Sequence, residues 1–189
     1  MKHIAIFASG NGSNAQRIVE YFMDNNDIVI DLILTNKANA GVLARADALG
    51  VKSVVFNKDE FTEGKKVDSL LDEHKIDFVI LAGFLLLVPS YLIEKYPNRI
   101  LNIHPALLPK YGGKGMYGMN VHRAVIESED DHSGISIHYV NNKYDEGQII
   151  FQAFCEIHND DSPEDLAEKI HKLEYQFFPK VIEETIMSA

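Results

Sequence analysis

Apolar and polar positions along the chain fall into two kinds of segment that take turns. Short, nearly unbroken apolar runs recur at His3 to Ala8, Ile28 to Thr35, Val51 to Phe56, Asp77 to Ala82 and Ile100 to His104. Runs of that length and composition are the mark of strands buried on both faces. Between them lie stretches with a helical pattern, over Ala15 to Met23, Gly41 to Leu49, Lys65 to His74 and Pro89 to Tyr96. Gly50 ends the second of these helices and Pro89 starts the fourth. Strand and helix in such regular alternation predict an α/β protein, doubly wound around a mostly parallel sheet.

Beyond His104 the pattern changes. Lys110 to Met119 carries Gly112, Gly113, Gly115 and Gly118 and reads as a mobile surface loop. Val121 to Glu127 is helical. Gly134 to Val140 and Gln148 to Ile157 read as strands joined by Asn141 to Gly147, an antiparallel extension of the sheet. Ser162-Pro163-Glu164-Asp165 combines an N-cap, a first-turn proline and early acids, so the last helix starts there. Pro179 is expected to kink or split it. Without repeats or an interdomain linker, residues 1–189 read as one domain.

Composition narrows the partners. A chain of 189 residues with 46% hydrophobic content can bury a full core. Its formal charge of −10 argues against nucleic acid or an anionic membrane as the main partner. No apolar run approaches the ~20 residues that span a bilayer. Met1-Lys2-His3-Ile4 runs directly into a strand, so no signal peptide is expected. Cys155, the single cysteine, excludes an internal disulfide and reads as a packed residue rather than a nucleophile. A soluble cytoplasmic protein is the expectation.

Candidate chemistry gathers at strand ends. Asn102 and His104 stand two residues apart, hence on one side of a strand that Pro105 ends. The carboxyl edge of an open α/β sheet is where ligands bind, although the pair could also serve only to hydrogen-bond a loop. Gly10-Asn11-Gly12-Ser13-Asn14 matches half of a dinucleotide fingerprint. The acid that should follow the second strand is missing: the sequence there is Thr35-Asn36-Lys37, and Asp31 comes too early. A nicotinamide cofactor is therefore disfavoured, although Lys37 could meet a 2′-phosphate. A phosphate monoester on the turn amides, or a glycine turn needed only for geometry, are the readings left. Phe84 to Leu87 suggests a pocket wall for a flat aromatic group, or core beneath the short helix. Asp145-Glu146-Gly147 is either an ordinary acidic turn or the carboxylate that orients His104 and raises its pKa. His104, His138 and Asp145 show no metal-ligand spacing.

These stretches together resemble the formyl-folate transferase family, and within it the phosphoribosylglycinamide formyltransferases, also called glycinamide ribonucleotide transformylases. The resemblance runs from Ile4 to about Ile182. It rests on Gly10 to Asn14, Leu81-Ala82-Gly83-Phe84, Asn102 to Pro109 and Asp145-Glu146-Gly147. It implies that Asn102, His104 and Asp145 form the catalytic set, with Ser136 in support. Gly12, Ser13 and Asn14 would hold the substrate phosphate, and Glu174 would lie near the sugar and amine. Leu85, Leu86, Leu87 and Val88, with Asn102, would line the folate site. The implied reaction passes a formyl group from 10-formyltetrahydrofolate to glycinamide ribonucleotide in purine biosynthesis, by direct attack and with no metal. Hydrolases of the family carry an extra N-terminal domain and the tRNA enzymes a C-terminal one; neither is expected here. A basic residue that the family often places after the third strand has no clear match, since Gly64 falls near it beside Lys65 and Lys66.

Overall fold

A computed structural model describes residues 1–189. Seven strands form one sheet, in the order β3-β2-β1-β4-β5-β6-β7. They are β1 (Lys2–Phe7), β2 (Ile28–Thr35), β3 (Lys52–Val55), β4 (Phe78–Leu81), β5 (Ile100–His104), β6 (His132–Tyr139) and β7 (Ile149–Glu156). The first five run parallel. β6 and β7 are antiparallel, which makes the sheet mixed as the late change of pattern predicts.

Period-two alternation sorts the strand side chains onto two faces. On β1, Ile4 and Ile6 join one hydrophobic cluster and Ala5 and Phe7 the other. The first cluster lies under α1 (Ser13–Phe22), α2 (Val42–Ala48), α6 (Met119–Glu127) and α7 (Pro163–Met187). The second lies under α3 (Lys58–Glu63), α4 (Lys65–Glu73) and α5 (Ser90–Lys95). Helices on both faces make the sheet doubly wound. From β1 the chain steps outward to β2 and β3, then returns to β4 on the other side. The strand order therefore reverses between β1 and β4, and a crevice opens at their carboxyl ends.

Two local features depart from the sequence reading. The segment before α4 contains a further helix, α3, whose Asn57 side chain accepts from Glu60 N–H while Glu60 accepts from Asn57 N–H. This reciprocal cap is visible in sequence as Asn57-x-x-Glu60. Pro179 does not split α7, which runs unbroken over 25 residues. The proline removes the N–H that Tyr175 carbonyl would accept, and Arg17 Nε donates to that oxygen instead, at 3.4 Å. No helix is long and apolar enough to cross a membrane.

Candidate active site

A cleft of about 710 Å³ occupies the crevice at the β1–β4 reversal. Four connections line it: Ser9 to Asn14 after β1, Lys37 after β2, Ala82 to Leu85 after β4, and Asn102 to Pro105 at the end of β5. Gly113 to Gly118 of the glycine-rich loop, His122, Tyr144, Asp145, His171 and Glu174 complete the wall.

At the β1 end, Gly12 adopts φ 77°, a left-handed conformation that suits glycine. It also packs against α2: a Cβ added there would stand 2.5 Å from Val42 Cβ. α1 starts at Ser13 with no side-chain cap. Its first amides are therefore left for a ligand, and the helix dipole favours an anion there.

At the β5 end, pairing with β6 sets His138 opposite Asn102 and Ser136 opposite His104. Asp145 reaches both imidazoles from the following loop, where its own φ is 56°. Its Oδ2 accepts Gly113 N–H at 2.9 Å and lies 3.5 Å from His104 Nδ1. Its Oδ1 lies 3.4 Å from Asn102 Nδ2 and 3.6 Å from His138 Nε2. His138 Nδ1 is 2.9 Å from Tyr139 carbonyl, which can only accept, so Nδ1 bears hydrogen and Nε2 takes Asn102 Nδ2–H at 3.0 Å. His104 Nε2 likewise donates to Tyr111 carbonyl, at 2.8 Å. The glycine-rich loop is thus tied at Tyr111 and Gly113 to the residues it covers. Of the four ring nitrogens of His104 and His138, only His104 Nδ1 has no hydrogen-bonding partner in the protein.

Burial drives the electrostatics. It pushes His104 below its ordinary value near 6.5, and this outweighs the opposing pull of Asp145 and of the Tyr111 carbonyl. The sequence reading expected the carboxylate to win; a ring only 3% exposed reverses the sign. Burial would also raise the Asp145 carboxyl, but His138, His104 and Gly113 N–H together hold it below the usual carboxylate range.

Ser136 does not line the cleft. Its hydroxyl, fully buried, donates to Ala106 carbonyl at 2.8 Å and accepts from Leu108 N–H at 2.9 Å and Gln152 Nε2 at 2.8 Å. It locks the chain just after His104 onto β6. Glu174 is buried at the cleft wall, where its Oε2 accepts from Asn14 Nδ2 at 2.9 Å and His171 Nδ1 at 2.8 Å. Of the four apolar residues after Phe84, Leu85 alone lines the cleft. Val88 is buried and Leu86 packs against the same core cluster, while Leu87 is 42% exposed. The chain turns on leaving β4, so consecutive residues cannot all face one pocket. Of Lys65 and Lys66, the basic candidates beside Gly64, Lys66 is already held by Glu60 and Val55 carbonyl.

Two cleft histidines escaped the sequence reading, His122 and His171. Nothing local marks them, since each stands at an ordinary helical position. Glu174 raises the pKa of His171 by hydrogen bonding, whereas burial and the nearby His171 lower that of His122. The signs give a stability prediction. His104 and His122 are depressed in the fold, so their contributions are present above pH 6.5 and are lost as pH falls through the folded values. His171 is raised and works oppositely, stabilising below 6.5 and losing that as pH rises through its folded value. Melting followed from about pH 7.5 down to about pH 5 should show less acid-side loss in His122→Gln and more in His171→Gln.

The formyl transferase family profile matches residues 2–182. A chloroplastic phosphoribosylglycinamide formyltransferase of Arabidopsis thaliana is 43% identical over 96% of this chain. The chain spans 64% of that plant protein and 60% of its counterpart in Vigna unguiculata. It spans 95% of the Bacillus subtilis phosphoribosylglycinamide formyltransferase, which is 35% identical over 98% of the chain. The crystal structure of the Streptococcus pneumoniae phosphoribosylglycinamide formyltransferase superposes with a TM-score of 0.87 at 36% identity, covering 98% of this chain and 99% of that one. A mixed, mostly parallel seven-stranded sheet with helices on both faces agrees with those likenesses, and the chain belongs to the formyl transferase family, in its phosphoribosylglycinamide formyltransferase branch.

Proposed function

We propose that the protein transfers a formyl group from 10-formyltetrahydrofolate to the amine of glycinamide ribonucleotide, a step of purine biosynthesis carried out in the cytoplasm. One observation carries the reading. A single cleft joins an uncapped helix N-terminus, suited to a phosphate monoester, to the Asn102–His104–Asp145 group, suited to acyl transfer. In this reading the ribosyl glycinamide of the substrate lies along the cleft between those two ends.

Gly12, Ser13 and Asn14 bind the phosphate through their amides, and Glu174, held by Asn14 and His171, faces the sugar and amine. The strip Ala82, Phe84, Leu85 and Ile103 offers the flat end of the folate an apolar wall. Leu86 and Val88 shape that wall from beneath, and the exposed Leu87 is free to be covered by the donor. The folate supplies a formyl carbon activated for attack by an amine. As the new C–N bond forms, negative charge develops on the formyl oxygen, and the Asn102 Nδ2 hydrogen held only loosely by Asp145, at 3.4 Å, turns to it as a donor. The attacking amine must lose one proton, and the departing folate nitrogen must gain one. His104 is neutral at rest because it is buried, so its Nδ1 can take a proton up. Asp145, 3.5 Å away, stabilises the resulting imidazolium, which stabilises the oxyanion. The imidazolium then gives its proton to the folate nitrogen as the bond from that nitrogen to the formyl carbon breaks. Ser136 keeps His104 in place.

The test is an assay for formyl transfer with both substrates present. Product that forms only when both are supplied supports the reading, and purified protein inactive with both would end it. A second outcome locates the phosphate. Gly12→Val adds bulk to a left-handed residue against Val42, and should raise KM for the ribonucleotide at least about tenfold. KM for the formyl donor should change less than about threefold, and equal losses for both substrates would assign Gly12 to general folding.

A further inference from the structure

α6 follows the glycine-rich loop and buries Val121 and Val125 completely in the core. His122 stands among them, only 3% exposed, yet lines the cleft with His171 and Glu174. Its Nδ1 is enclosed and has no hydrogen-bond partner. A buried polar atom without a partner is uncommon and costs stability. An aliphatic side chain would pack at this helix position without that cost, so the imidazole has a use that the protein alone does not reveal.

The ring's protonation limits what that use is. An orphaned N–H is rarer and costlier than an orphaned lone pair, so the enclosed Nδ1 is the nitrogen without hydrogen. The hydrogen of the neutral ring then sits on Nε2, the nitrogen left to the cleft. Burial and His171 both oppose a second proton. His122 is thus an uncharged single donor, in a wall whose other polar side chains include two carboxylates, Glu174 and Asp145, that only accept.

We propose that His122 contacts the substrate directly, its Nε2–H donating to an uncharged oxygen of the ribosyl glycinamide, a hydroxyl or the amide carbonyl. This assignment rests on the ribonucleotide reading above. It places the contact between the phosphate at Gly12 to Asn14 and the amine at Asn102 and His104. The residue then helps to distinguish a ribosyl glycinamide from a bare phosphate, because phosphate alone is held at the turn.

Three replacements separate this contact from packing. Gln sets an amide nitrogen near the position of the imidazole Nε2, Asn stops short of it, and Phe keeps a ring with no donor. Calorimetric titration with glycinamide ribonucleotide should show Kd raised about tenfold in His122→Phe and His122→Asn, and within about threefold of wild type in His122→Gln. Kd for inorganic phosphate and for the formyl donor should move less than about twofold in all three, which also reports that each variant is folded. Unchanged ribonucleotide affinity in His122→Phe, or His122→Gln as weak as His122→Phe, would overturn the contact. Wild-type protein that neither binds nor formylates the ribonucleotide would overturn the functional reading and this inference with it. Active wild-type protein with unaffected variants would overturn this inference alone.

Discussion

Asp145→Asn should lower kcat by roughly 10²–10³-fold and leave KM for either substrate within about threefold. The carboxylate accepts from Gly113 N–H and Asn102 Nδ2–H, and lies 3.5 Å from His104 Nδ1 and 3.6 Å from His138 Nε2. An asparagine keeps the shape but turns an amide N–H toward a group that itself donates. It also removes the charge that draws a proton onto His104. Since Asp145 acts to raise the His104 pKa against burial, its loss should lower that pKa still further below 6.5. An NMR titration of the His104 ring in both proteins gives the sign directly, and a rise in Asp145→Asn would contradict the pairing.

The same direction shapes the pH profile. With the folded value below 6.5, kcat/KM should stay level through neutrality and fall on the acid side, as His104 takes a proton before the reaction begins. His104→Ala should be at least as damaging as Asp145→Asn. The double variant should be little worse than the worse single one, because the two act as a unit. Additive losses would mean that they act separately.

Gly147→Ala should damage both fold and turnover, although it adds one methyl group. A Cβ at Gly147 would lie 1.6 Å from Tyr139 carbonyl oxygen and 3.3 Å from His138 Nδ1. That carbonyl takes the hydrogen of His138 Nδ1, and Tyr139 N–H donates to Gln148 carbonyl at 2.9 Å. The methyl group must therefore separate the two strands where they carry His138 and precede Asp145. Overpacking of this kind costs about 1–3 kcal/mol or more, which lowers the melting temperature by about 5 °C. Turnover should drop at least about tenfold, since the Asp145 carboxylate moves with its loop. Unchanged melting and activity would show that the loop relaxes freely.

The substance of this fold lay open in local patterns. Apolar runs such as Asp77 to Ala82 need cover on both faces, and that requirement alone gives a parallel sheet between two helix layers. The two-residue spacing of Asn102 and His104, ended by Pro105, puts both at the sheet edge without knowledge of any neighbour. The capping pair Asn57 and Glu60 was equally local, and α3 could have been read from it. Gly12 was legible as a turn residue, but its contact with Val42 of α2 was not.

What needed the tertiary structure were quantities summed over distant parts of the chain. Leu85, Leu86, Leu87 and Val88 look alike in sequence, and only the turn after β4 sends one to the cleft, two to the core and one to solvent. Pro179 was expected to break a helix, yet the carbonyl it strands, that of Tyr175, is taken by Arg17, 158 positions earlier in the chain and brought there by packing. Gly147 reads as a turn glycine, while its reason is a carbonyl across the strand pair. The sign of the His104 shift depends on how much water the whole fold removes from one ring, against one carboxylate at 3.5 Å. His122 and His171 carry no local mark, because a helix position acquires chemistry only from what the fold sets in front of it. Short-range pattern thus determined the sheet, its edge and the first two site residues. Burial, which no single segment encodes, decided their protonation and their companions.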